Sequence, residues 1–147
     1  MGNDFSHCEL ATGDVAAAKK FYKSLFAWKL NQLGADMGNY VLIDTGSKSS
    51  GGGMAPKMMP EQPTAWTPYV QVDSVKRTIA KAESLGAKIV MAYQPIGDMG
   101  AIGIFVDPTG AALGVWEKSA PPPPAKKAAK KPAAKKAPAK KAKKKKR

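Results

Sequence analysis

FSHCELATGDVAAAKKFYKSLFAW, residues 5–28, decides the fold, because it joins a strand to a helix through a cap. Phe5, His7 and Glu9 alternate with Ser6, Cys8 and Leu10, so a strand sends His7 and Glu9 to one face and Cys8 and Leu10 to the other. Asp14 is an N-cap residue type, and after it Val15, Ala18, Phe21, Tyr22, Leu25 and Phe26 recur at helical spacing, with Lys19, Lys20 and Lys23 between them. The helix is expected to end near Trp28, although no glycine marks its C-cap. A weaker echo, TPYVQVDSVKRTIAKAESLGAKIV, begins at Thr67. There Val70 and Val72 take the places of Cys8 and Leu10, and Tyr69 and Gln71 take those of His7 and Glu9. Each first strand thus has an apolar face suited to a packed helix and a polar, aromatic face suited to a cavity.

Between the two copies, residues 29–33 and 39–45 read as strands joined by a glycine-containing turn, and 51–54 as a fourth strand or its start. Pro60 and Pro63 prevent residues 57–66 from continuing a central strand or a helix, so this stretch reads as a linker. Ser74 or Asp73 caps the second helix, along which Val75, Ile79, Ala82 and Leu85 form the apolar stripe, and Gly86 stands where a C-terminal glycine belongs. Residues 88–92, 101–107 and 111–117 are the remaining strands, the last two joined by the turn Asp107-Pro108-Thr109-Gly110. The order is strand, helix, three strands, given twice. That predicts an α+β fold of two βαβββ modules, one over about residues 5–56 and the other over about 67–118.

Charge divides the chain differently. Of 24 basic residues, 13 lie at or beyond Lys126, where no acidic residue occurs, so the net charge of +13 resides wholly in the tail. The body, residues 1–118, is neutral and long enough to bury roughly two thirds of its unfolded surface without staples. A single cysteine, Cys8, excludes an internal disulfide and fits a reducing compartment. The N-terminus lacks the basic start and apolar run of a secretory signal, and no apolar run is long enough for a membrane span. A cytoplasmic location, with nucleoid association through the tail, is the expectation.

FSHCEL with DVAAAKKFYKSLFAW, then YVQVDSV with AESLGAKIV, then FVDPTGAALGVWE resemble, in order and separation, the vicinal oxygen chelate superfamily. This superfamily includes glyoxalase I, extradiol dioxygenases and bleomycin-resistance proteins. The resemblance implies two βαβββ modules curled as a mixed sheet around a shared pocket, with helices outside, and it leaves a homodimer open. Metal-dependent members take one ligand from the first strand and one from the last strand of each module. Here the first such position falls on His7 and its counterpart on Tyr69, while the last-strand positions fall within Gly51 to Gly53 and near Gly114. Only His7 matches, and a divalent cation needs about three protein ligands. No cofactor is therefore expected, the alternative being a divalent metal ion held by His7 and Glu9 with further groups.

The candidate site residues are His7, Glu9, Tyr40, Met54, Tyr69, Gln71, Met99 and Trp116. His7 and Glu9 are also the catalytic candidates, Glu9 as a general base if an apolar pocket raises its pKa. The plainer readings are a hydrogen-bonded histidine and a paired carboxylate. Tyr40, Trp66, Tyr69 and Trp116 offer faces on which a planar ligand can stack, with Met54, Met58 and Met99 as adaptable lining, and each serves equally well as core. Cys8 falls on the helix side and reads as a small core residue. Gly51-Gly52-Gly53 precedes no Lys-Ser/Thr pair, so it is no phosphate loop. Residues 97–100, Gly-Asp-Met-Gly, read as a mobile loop at the pocket mouth.

After Glu117 the composition shifts to four prolines and then to lysine, alanine and proline. The prolines make a stiff spacer, and the stretch beyond, residues 119–147 as a whole, is expected to be disordered. Its basic residues are Lys126, Lys127, Lys130, Lys131, Lys135, Lys136, Lys140, Lys141, Lys143, Lys144, Lys145, Lys146 and Arg147. Their density points to non-specific nucleic-acid binding by counterion release, and the composition is similar to that of histone-like arms. Two functions follow: a metal-free small-molecule binding domain tethered to nucleic acid, or a metal-dependent lyase or isomerase of the glyoxalase I type.

Overall fold

The computed structural model describes residues 2–47 and 51–119. The polyproline stretch and the basic tail lie outside the described residues. The body consists of β1 (Phe5–Thr12), α1 (Val15–Leu25), β2 (Lys29–Gln32), β3 (Val41–Asp44) and β4 (Gly51–Pro56), followed by β5 (Ala65–Gln71), α2 (Val75–Ser84), β6 (Lys88–Ile96), β7 (Gly100–Val106) and β8 (Ala112–Lys118). The twice-given order expected from the periodicity is present, as an α+β fold of two helices on a mixed sheet. One-turn helices at Ala35–Met37 and Gly97–Met99 close the β2–β3 and β6–β7 connections.

All eight strands form one sheet in the order β2-β3-β4-β1-β5-β8-β7-β6. The two modules meet edge to edge where β1 runs antiparallel to β5, with His7 opposite Tyr69 and Cys8 opposite Pro68. Each module then repeats one plan: its first strand pairs parallel with its last, β1 with β4 and β5 with β8. Corresponding strands therefore lie at equal distances on either side of the β1–β5 seam, as a local two-fold relation between the copies requires.

Caps set the helix starts. Asp14 accepts from the Ala17 amide at 2.8 Å, and Ser74, of the two residues considered, accepts from Arg77. Just past the end of α2, after its C-cap Leu85, Gly86 takes a φ of 91° that suits glycine. α1 stops earlier than Trp28, at Leu25, because Phe26 turns to extended backbone while its amide still donates to the Tyr22 carbonyl. Trp28 then stacks on Phe26 at 4.5 Å. β5 begins at Ala65, inside the expected linker; Pro68 fits within it because the ladder to β8 starts one residue later, at Tyr69. β4 and β6 run on to Pro56 and Ile96, past the stretches the sequence marked.

Two cores lie between the sheet and its helices. Leu10, Val41, Ile43 and Met54 pack under α1 with Tyr22, Trp28 and Trp66; Val75 and Ile79 of α2 pack on Val115 with Val72, Ile89 and Phe105. The second fit is tight: a Cβ on Gly103 would meet Ile79 Cγ1 at 2.8 Å and Val75 Cγ1 at 3.0 Å. Both helices sit on one face of the sheet, and the other face is free of helices.

Candidate functional site

Strand alternation and register decide what the helix-free face carries. On β1 these are His7 and Glu9, the residues between those that pack under α1. Glu9 aligns with Gly53 on β4 and, through it, with Leu42 on β3. In the other module Tyr69 aligns with Gly114 and then Ile104, and the next row is Gln71, Trp116 and Ile102. The seam brings the rows together by setting His7 against Tyr69, whose rings meet edge to face at 5.9 Å.

The glycines show how the face is filled. A Cβ on Gly53 would run into the hydroxyl end of Tyr40, and a Cβ on Gly114 into the ring of Tyr69. Two tyrosines thus lie over the bare backbone of β4 and β8, in the space that side chains from those strands would take. Tyr40, just ahead of β3, hydrogen-bonds through its hydroxyl to His7 Nε2 at 2.8 Å. Tyr69 is only 2% exposed, and its hydroxyl is buried.

Glu9 lies between these groups. Burial pushes its carboxyl above the ordinary carboxylate range, and the nearby Tyr40 and Tyr69 hydroxyls offset part of that rise. Burial, and next the charge of Glu9, push both phenols far above their ordinary values, so both remain protonated donors. Burial lowers His7, which keeps its ring neutral near neutral pH. Burial and Glu9 raise the Cys8 thiol, which keeps it protonated and a poor nucleophile.

The structure thus brings together His7, Glu9, Tyr40 and Tyr69, with Gln71 and Trp116 one row along. Met54 is elsewhere. It pairs with Leu10, shares its side of the sheet and is fully buried under α1, so it lines the core. Trp66 also packs on the helix side, where its indole N–H donates to the Tyr22 hydroxyl at 3.0 Å. Met99 is half-exposed in the β6–β7 connection, five positions before Ile104, and its carbonyl accepts from the Ser119 amide. Sequence reasoning missed Leu42, Ile102 and Ile104, which flank the cluster; the alternation of β3 and β7 against their core residues would have marked them. Clefts of about 360 and 480 Å³ lie beside α2 and beside the start of α1, away from Glu9.

These residues do not fit a metal ion. Among the described residues no group of three or more His, Cys, Asp or Glu side chains converges. The last-strand positions are glycines covered by tyrosine rings, and a neutral phenol is a poor ligand beside carboxylate or imidazole. Among the described residues, too, no helix is long and apolar enough to cross a membrane.

Comparison with known proteins agrees with the architecture. Residues 5–46 match the family model described as bleomycin resistance protein-like N-terminal. The chain is 36% identical over 113 residues to CFP32 of Mycobacterium tuberculosis, a protein provisionally named a glyoxylase, covering 74% of this chain and 43% of that one. It is 26% identical over 129 residues to the anthracycline biosynthesis protein DnrV of Streptomyces peucetius, covering 75% and 45%. The chain therefore spans less than half the length of these relatives. Among solved structures, a hypothetical protein from Bacillus halodurans, BH1468, superposes with a TM-score of 0.61 at 14% identity, covering 84% of this chain and 99% of that one. Methylmalonyl-CoA epimerase from Mycobacterium tuberculosis gives 0.57 at 15% identity, covering 80% and 88%. At such identities these two speak for the fold alone. Matched at its first module by that family model and along most of its length by these relatives, the body of the chain is similar to proteins of the glyoxalase and bleomycin-resistance group.

Proposed function

We propose that this domain holds a small planar or amphipathic molecule on its helix-free face without the aid of a metal ion, and that the basic tail tethers it to nucleic acid. The observation that carries the first part is the pair of tyrosines over Gly53 and Gly114, which fill the space a metal-binding relative would give to ligands. In their place stand a carboxyl, two protonated phenols and a neutral imidazole, a set that orients a guest by hydrogen bonds. Leu42, Ile102, Ile104 and Trp116 supply apolar surface around it. The kinship to a protein named for anthracycline biosynthesis supports a planar aromatic guest. The tail's part rests on charge density, thirteen cations with no compensating anion, and implies nucleoid association without sequence reading.

One finding favours a second reading, a metal-dependent lyase or isomerase: the 36% identity to a protein provisionally named a glyoxylase. Metal analysis of the purified full-length chain separates the two. Substoichiometric zinc, nickel, iron and manganese is the expected result; a stoichiometric ion that is lost, together with glyoxalase activity, in His7→Ala would establish the second reading.

A further inference from the structure

We propose that the cleft beside α2, on the face of the sheet opposite Glu9, is a separate binding site for a small amphipathic anion, a carboxylate or phosphate on a short apolar body. The cleft exists because of where the helices stand. α2 packs chiefly on β6, β7 and β8, and α1 chiefly on β2 and β4, so neither is centred over β5. Val70 of β5, Leu113 of β8 and Phe105 of β7 are therefore only half-buried. They floor a space of about 360 Å³, within the roughly 300–1,000 Å³ of small-molecule clefts.

Charge names the occupant. Arg77 and Lys81, one turn apart on α2, line this cleft with Thr78 between them, and no Asp or Glu lines it. Among the described residues neither cation is ion-paired. Asp73 stands four positions before Arg77 without reaching it, and the helical neighbours of Lys81 are Arg77, Thr78, Ser84 and Leu85, none of them acidic. Like charges at this spacing repel one another along a helix, and an anion beside them offsets that while its apolar body covers the floor. A neutral ligand gains only the second of these contributions, and an anion without an apolar body only the first. Both cations are exposed, so together they favour the anion by a modest factor.

Cinnamate, cinnamyl alcohol and acetate separate the two contributions. Each is titrated into full-length chain with labelled Ile, Leu, Val and Thr methyl groups. Binding is read by NMR at Val70, Leu113 and Thr78, with Ile102 and Ile104 reporting the helix-free face, so anions held by the lysine tail are not counted. The expected result is a saturable cinnamate shift at the first three, with cinnamyl alcohol at least ~3-fold weaker and acetate without effect. The double variant Arg77→Gln, Lys81→Gln, its fold verified by unchanged Ile102 and Ile104 signals, brings the acid to the level of the alcohol. Equal affinity for acid and alcohol, acetate binding as tightly as cinnamate, or a preference unchanged in the double variant overturns the choice of an amphipathic anion. Cinnamate that leaves Val70, Leu113 and Thr78 unshifted, whether or not Ile102 and Ile104 respond, overturns the site itself.

Discussion

At the residue scale, Glu9 imposes a cost on folding that its chemistry explains. Its carboxyl is raised by burial above the ordinary value of 4.5, with Tyr40 and Tyr69 recovering only part of the loss. A raised acid binds its proton more tightly in the folded state, so the protein is favoured when Glu9 is protonated and loses that advantage as pH climbs from the ordinary value through the raised one. Glu9→Gln keeps the shape and removes the charge. We expect this variant to be more stable than the parent at neutral pH, by a few degrees in Tm, with the gap closing below about pH 4.5. Thermal melts across pH check the point, and a variant less stable than the parent at neutral pH would show that Glu9 contributes to the fold. Functional sites commonly hold such groups at the expense of stability.

At the element scale, the two helices contribute unequally. α2 buries Val75 and Ile79 against β7 and β8, whereas α1 buries no residue fully and leaves Phe21 60% and Leu25 55% exposed. Both have an apolar stripe of similar length, so periodicity alone ranks them as equals. Ile79→Ala should cost about 2–5 kcal/mol, because a packed side chain is removed from a site where Gly103 already allows the closest approach. Phe21→Ala should cost below about 1 kcal/mol. Urea unfolding of both variants decides it, and equal losses would contradict the packing described. The caps at Asp14 and Ser74 and the turn at Asp107, whose carboxylate accepts from the Thr109 and Ala111 amides, stood out in the sequence because their partners lie within four residues.

At the scale of the whole molecule, a neutral folded body is joined to a tail carrying the entire charge excess. Full-length chain should retard duplex DNA, with log K falling by about 0.9 per engaged phosphate for each decade of salt, and a chain ending at Lys118 should lose the effect. Equal retardation by the two would place DNA binding in the body and remove the tether. This charge division needs no folding to be seen, and the same holds for the duplication, the alternation of β1 and β5, the caps and the strand order. All of these are local or compositional properties. Tertiary structure alone decided what fills the helix-free face. Tyr69 covers Gly114 because β5 pairs parallel with β8, far along the chain, Tyr40 reaches Gly53 across the antiparallel β3–β4 pair, and Met54 falls into the core because its partner across β1 is Leu10. Alternation says which face a residue takes; only long-range register says which distant side chain meets it there.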